Sequence, residues 1–423
     1  RNAVLPLAAA WCLCTAVQAA GVLPRNAPAP ASTSPSAGVQ AEAQLLEVYR
    51  LTAQGNTREA LAKAQQLANQ HPNFRLAQLA LADLLSARNP RHGGLKEFAA
   101  APVAMAQEAA QAAAVSVSDT TLAMQNPAVT REDLSQLKLQ AKARVLANAQ
   151  RPARGMVPRE LVRLSSWSRY ALAVDASLSR LYVFENTPDG LQLVQDFYAA
   201  VGKMGVDKNA EGDRRTPAGV YYLINQYEPR KLFDIYGEGA IALNYPNEFD
   251  RRLGRTGSGI WLHGSPRNNF ARITQATDGC IALANPDLQW LRGRIDMRRT
   301  PIVVAQQLQW VRQDQTRKPH QDFETALERW RGAKSSGTVA NVSFFYTPDF
   351  TSFGQKPLAL WMPELQAEMQ RIGSRDVELK HLSYLYWRDP QAANTEVMVV
   401  TFGQVARGDV RGPVKRQYWT RQS

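Results

Sequence analysis

Ile260-Trp261-Leu262-His263-Gly264-Ser265 is followed by Thr277-Asp278-Gly279-Cys280-Ile281, which sets a histidine and a cysteine seventeen residues apart. Each stands where a short apolar run meets a glycine, the pattern of a strand joining a loop. A free thiol titrates near about 8.5, so a cysteine nucleophile at neutral pH needs a base beside it. Imidazole supplies one. The alternative for the same residues is a buried cysteine packed beside a core histidine.

The other two cysteines, Cys12 and Cys14, lie in the apolar stretch from Ala3 to Val17. With Arg1 ahead of it and Val17-Gln18-Ala19-Ala20 behind it, residues 1–20 read as a secretory signal. Residues 21–40, rich in Ala, Pro and Ser, read as a flexible spacer. Cys280 would then be the one thiol left in an exported chain, which raises its standing as a nucleophile. The net charge of +13 favours polyanions in general. Export and the absence of clustered Lys/Arg with interleaved aromatics argue against nucleic acid. No later apolar run reaches the length of a membrane span, so the processed protein is expected to lack a transmembrane segment.

With 423 residues the chain has room for several domains. Residues 41–155 carry helical periodicity, with apolar faces through Leu45 and Tyr49, Leu61 and Leu67, and Leu76 and Leu84. The order of Tyr, Gly-Asn, Glu-Ala-Leu and Pro-Asn in this part is similar to a tetratricopeptide unit, too short for a solenoid. A helical hairpin or an arm that docks a protein partner fits it. His71 is expected at a surface turn. From Tyr170 the period changes to two. Short strands separated by Gly, Asp and Pro turns imply a mainly-β sandwich or barrel over residues 160–308. A helix follows the cysteine, with Asn285 expected as its N-cap and Pro286 as its first residue. Residues 319–423 begin with helices and end in a strand meander, an α+β roll. The fold class is therefore multi-domain α+β.

Several ordered segments go further than the His/Cys pair. Val201-Gly202-Lys203, Gly212-Asp213-Arg214-Arg215-Thr216-Pro217-Ala218-Gly219-Val220-Tyr221, Asn244-Tyr245-Pro246-Asn247, Gly259–Gly264 and Thr277–Leu283 follow one another in the chain. Together they resemble the L,D-transpeptidase catalytic domain, a family of cysteine enzymes acting on peptidoglycan stem peptides. Asp278 stands where the family usually has a histidine, and Ala282 where it has Arg or Asn.

The resemblance implies Cys280 as nucleophile, His263 as base and a cofactor-free thioester mechanism on tetrapeptide stems in the periplasm. The Gly264 carbonyl is expected to orient the base, and the Gly279 and Cys280 N–H groups to bind the oxyanion. Thr277, Asp278, Arg267 and Tyr245 are expected at the substrate; Arg214 and Arg272 also flank the site and suit a carboxylate. An amine acceptor makes the enzyme a transpeptidase, and water makes it an L,D-carboxypeptidase. The C-terminal stretch, Ala326-Leu327 through Phe350, is similar to the start of a nuclear-transport-factor-like roll, an arrangement seen in cell-shape-determining members. No metal constellation occurs in the sequence. A non-catalytic wall-binding scaffold is the competing class, motivated by Asp278 and the two flanking regions.

Overall fold

The computed structural model describes residues 10–19, 34–87, 131–336, 338–373 and 375–422. Residues 1–9 and 20 of the expected signal, 21–33 of the spacer and 88–130 of the helical region lie outside these. The first described element lies within the stretch read as a signal. Ala10–Ala19 is a strand, β1, and its Trp11, Leu13, Cys14 and Thr15 are buried. An apolar run of ten suits a strand buried on both faces as well as it suits a signal core, and hydrophobicity alone does not separate them.

Ser36 caps the first helix by accepting a hydrogen bond from Val39 N at 3.1 Å, so α1 (Ala37–Ala53) begins inside the expected spacer. It packs antiparallel to α2 (Thr57–Gln70), which is followed by α3 (Arg75–Ala87) and α4 (Arg131–Ala149). Leu45, Val48, Ala64, Leu67, Leu76 and Leu84 form their shared core. A buried ion cluster ties this region to the rest of the chain. Glu42 on α1 is bidentate to Arg180 at 2.8 and 2.9 Å and reaches Arg144 on α4 at 2.9 Å. Burial pushes the Glu42 carboxyl up, but the two guanidinium groups outweigh it and hold its pKa below the ordinary value.

The central region is β-rich. A two-stranded ladder, β2 (Met156–Pro158) with β13 (Trp310–Arg312), brackets it. Between them an eight-stranded mixed sheet is built from β3 (Tyr170–Asp175), β4 (Arg180–Thr187), β5 (Gly190–Tyr198), β7 (Gly219–Tyr227), β8 (Ala240–Leu243), β9 (Trp261–His263), β11 (Ile281–Ala282) and β12 (Pro301–Ala305). The order is β11-β9-β8-β7-β12-β3-β4-β5. The sheet curls until its two edges meet: Ala200, just past β5, exchanges both backbone hydrogen bonds with Ala282 at 2.9 Å. A second short pair, β6 (Val201–Gly202) with β10 (Gln275–Thr277), lies beside that seam. Helix α5 (Glu248–Arg252) has a capping box on Asn247, and α6 (Asn285–Arg292) follows β11. The N-cap of α6 is Ala284 rather than Asn285, because the Asn285 side chain is used elsewhere.

The C-terminal region places α7 (Gln321–Ser335), α8 (Val339–Ser343) and α9 (Leu358–Ile372) against a five-stranded sheet. Its strands are β14 (Tyr346–Ser352), β15 (Val377–Asp389), β16 (Thr395–Ala406) and β17 (Val414–Gln422), with β1 between β14 and β17. Alternation sorts the sheet's side chains. Trp11, Leu13, Tyr384, Tyr386, Met398 and Val400 join the core under the helices, while Cys14, Leu385, Trp387, Val397 and Val399 join the core of the central region. With both faces buried, these strands read as nearly continuous apolar runs.

Candidate active site

His263 ends β9, and Cys280 immediately precedes β11. The two strands pair in parallel, with Ile281 opposite Leu262 and Ala282 opposite His263. Cys280 therefore sits beside Trp261, one pleat period (about 6.6 Å) along the strand from His263, and all three side chains face the same side. Trp261 N donates to Cys280 Sγ at 3.4 Å, and the thiol lies 3.5 Å from Gly259 O.

His263 Nδ1 lies 2.6 Å from Gly264 O. A carbonyl only accepts, so Nδ1 carries the proton and Nε2 is left as the basic nitrogen. Gly264 is itself pinned. Asn285 Oδ1 accepts from Ser265 N at 3.1 Å and Glu238 N at 3.0 Å, and its Nδ2 donates to Ser265 O at 2.8 Å. A Cβ on Gly264 would come within 2.1 Å of Asn285 Oδ1, so only glycine fits. Asn285 thus serves the base loop instead of capping its helix. The Tyr236 ring closes the other side, edge-on to His263 with centroids 5.2 Å apart.

Burial sets the protonation of the pair. It takes the His263 imidazole down to about 4, opposed by the Gly264 hydrogen bond and assisted by Arg272. It pushes the Cys280 thiol above its ordinary value, opposed by the Trp261 N–H and Arg272 and reinforced by Asp278. The resting pair is a neutral thiol beside a neutral imidazole.

Thr277 braces the nucleophile loop. Its hydroxyl accepts from Gly279 N at 3.2 Å and donates to Cys280 O at 2.6 Å. The Gly279 N–H thus points at Thr277, and Thr277 has a structural place in this loop. Gly279 has φ +130°, and a Cβ there would lie 2.7 Å from Arg215 O. Two of the earlier motif segments buttress the same loop: Lys203 N donates to Thr277 O at 2.7 Å, and Gly202 N to Thr216 Oγ1 at 2.9 Å.

Residues 169–304 match the YkuD family, the L,D-transpeptidase catalytic domain. Bd1075 from Bdellovibrio bacteriovorus is similar at 27% identity with a TM-score of 0.52, over 63% of this chain and 99% of Bd1075. More than a third of this chain thus has no counterpart there. The helical cell shape determining protein Pgp2 from Campylobacter jejuni is similar at 20% identity and a TM-score of 0.48, over 62% of this chain and 91% of Pgp2. That second likeness is too slight to support an argument. No curated protein matches the chain.

The remaining expected residues of the L,D-transpeptidase domain divide. Asp278 is exposed at the mouth and pairs with Lys203 at 3.0 Å. Arg267 points to solvent, 72% exposed and 3.9 Å from Glu238. Tyr245 is corrected to a core residue. It is buried, its hydroxyl donates to Thr256 O at 2.9 Å, and its ring packs edge-on against Tyr221. Arg214 is exposed, at φ +55°. Tyr236 emerges as a site residue that carries no recognisable local motif, while Arg272, expected to flank the site, acts on both His263 and Cys280, and Asn285, expected as a cap, holds the loop after His263.

Proposed function

We propose that the protein is a periplasmic, peptidoglycan-modifying cysteine acyltransferase that works on tetrapeptide stems. The observation that carries this reading is Cys280 beside His263 on paired strands, with Nδ1 committed to Gly264 O and Nε2 free to act. Because thiol and imidazole are both neutral at rest, the Cys280 proton passes to His263 Nε2 as Sγ attacks the carbonyl that precedes the terminal D-Ala. The Cys280 N–H then faces the developing oxyanion. His263 returns the proton to the leaving D-Ala nitrogen as the C–N bond breaks, leaving a thioester on Cys280. A side-chain amine of a second stem attacks the thioester, loses its proton to His263, and expels the thiolate. The product is a cross-link between two third residues.

The second reading is an L,D-carboxypeptidase, in which water resolves the same thioester. The helical region supports it, because α2, α3 and α4 stand against the loop between His263 and Cys280 and close one flank to a bulky acceptor. The C-terminal helices and sheet are read as a nuclear-transport-factor-like unit. Purified protein given tetrapeptide muropeptides should release D-Ala. Cross-linked dimers in the mass spectrum would identify a transpeptidase, and tripeptide monomers a carboxypeptidase. Stems left intact, with Cys280 unlabelled by a thiol-reactive carbapenem, would favour a wall-binding scaffold.

A further inference from the structure

The loop from Ser265 to Thr274 joins base to nucleophile, and the helical region holds it at three points. Asn73, in the turn between α2 and α3, donates through Nδ2 to Arg267 O at 3.1 Å, and its own carbonyl accepts from Phe270 N at 3.1 Å. Phe270 stacks on Phe74 with centroids 4.2 Å apart, and the His71 ring meets it edge-on at 5.4 Å. His71 is thus a packing residue, not a free surface histidine. Gln140 on α4 donates to Arg272 O at 2.8 Å.

Arg272 is the residue this clamp delivers. Its Nη2 donates to Ile235 O at 2.9 Å, next to the Tyr236 that flanks His263. Its buried Nε has no partner among the described residues, and no salt bridge among them neutralises the guanidinium. The other charges facing Cys280 are different. Lys203 is paired with Asp278, and Lys208 with Asp213 at 2.7 Å. Among the described residues, Arg272 is therefore a cation near Cys280 with no salt-bridge partner, the Asp278 carboxylate acting on it without an ion pair.

We propose that the N-terminal helical region is a working part of the active site: Asn73, Phe74 and Gln140 are positioning residues that aim Arg272 at the mouth beside Cys280, where it receives a carboxylate of the substrate. The proposal rests on the stem-peptide reading for the identity of that carboxylate, but its geometric core does not. The polar contacts made by Asn73 and Gln140 go to backbone atoms of the loop, so they determine where the Arg272 side chain starts without touching substrate themselves.

The test compares alkylation of Cys280 by iodoacetate, an anion, with alkylation by neutral iodoacetamide, followed at the Cys280 peptide by mass spectrometry on the full chain. Arg272→Ala should lower the iodoacetate-to-iodoacetamide ratio by about threefold or more. Gln140→Leu and Asn73→Ala, singly and together, should move the ratio the same way, with KM for anionic stems rising more than kcat falls. A variant that was merely less stable would slow or hasten both reagents alike. Glu47→Gln, in a surface pair with Arg50 away from the loop, serves as control. A ratio that drops for Arg272→Ala but not for the clamp variants would overturn the positioning role. A ratio unmoved by Arg272→Ala would overturn the role of the cation. If the ratios behave as expected and no stem peptide is turned over, the substrate reading fails and the positioning stands.

Discussion

The two regions that flank the central β-rich region meet it by different chemistry. The helical region joins polar and charged contacts, the Glu42–Arg144–Arg180 cluster with Asn73 and Gln140 on loop backbone, to a small apolar seam in which Tyr198, Phe270, Ala271 and Ala284 enter its core. The C-terminal sheet attaches through a continuous apolar face, Leu385, Trp387, Val397, Val399 and Tyr418, with Phe249 parallel to Tyr418 at 6.1 Å. Of its charged contacts, Arg255 with Asp250 at 3.1 Å and Asp389 at 2.7 Å is buried within that seam, while Arg252 pairs with the exposed Asp349. The first attachment ends on the loop between base and nucleophile, and the second lies behind β7. One flank is built to place atoms, the other to supply stability.

That contrast can be broken by substitution. Arg255→Met should be the most damaging to stability, because it leaves Asp250 and Asp389 buried without their cation. A loss of about 3–5 kcal/mol in chemical denaturation is expected. Iodoacetamide reactivity of Cys280 per folded molecule should stay unchanged, and a change there would blur the distinction between flanks. Glu42→Gln should cost about 3 kcal/mol by leaving Arg144 and Arg180 buried together. Unlike Arg255→Met, it should expose residues 34–87 and 131–149 to limited proteolysis while the central and C-terminal regions resist.

Smaller effects are expected inside the site. Thr277→Val removes the brace between Gly279 N and Cys280 O and should cost about 1–3 kcal/mol, with turnover down about tenfold from a misplaced nucleophile. The pH profile sharpens the burial argument. With His263 at about 4, the acid limb of kcat/KM should lie near pH 4, since the basic form persists at every higher pH. Alkylation of Cys280 should still be rising past pH 9, because its thiol sits above the ordinary value. Arg272→Ala should shift both upward, as the cation lowers both. Lys203→Ala, at an exposed pair, should change stability by less than about 0.5 kcal/mol.

The juxtaposition of His263 and Cys280 was legible because both lie in local motifs at strand ends, where spacing and glycine positions carry the information. Period-two strands and helical faces likewise located most elements, since each side of an element declares its environment. Tyr245 misled because a segment can match a domain's pattern for packing reasons, as its bond to Thr256 O shows. Asn285 before Pro286 looks like a cap, and only the fold reveals that its amide is spent on Ser265 and Glu238. Arg272 was one of three arginines expected to flank the site, with nothing local to rank it among them. What singles it out from Arg214 and Arg267 is Gln140, 132 positions away in the chain, and no local pattern encodes that contact. Ala10–Ala19 is ambiguous for the opposite reason: one apolar run satisfies both a signal core and a buried strand.

The central claim is that Cys280 carries the acyl group. Rapid acid quench of the full chain with a tetrapeptide stem, followed by intact-protein mass, tests it most directly. The account predicts a mass gain equal to the tripeptide acyl group, mapped to Cys280 and absent in Cys280→Ala together with D-Ala release. D-Ala release that survives Cys280→Ala would contradict it.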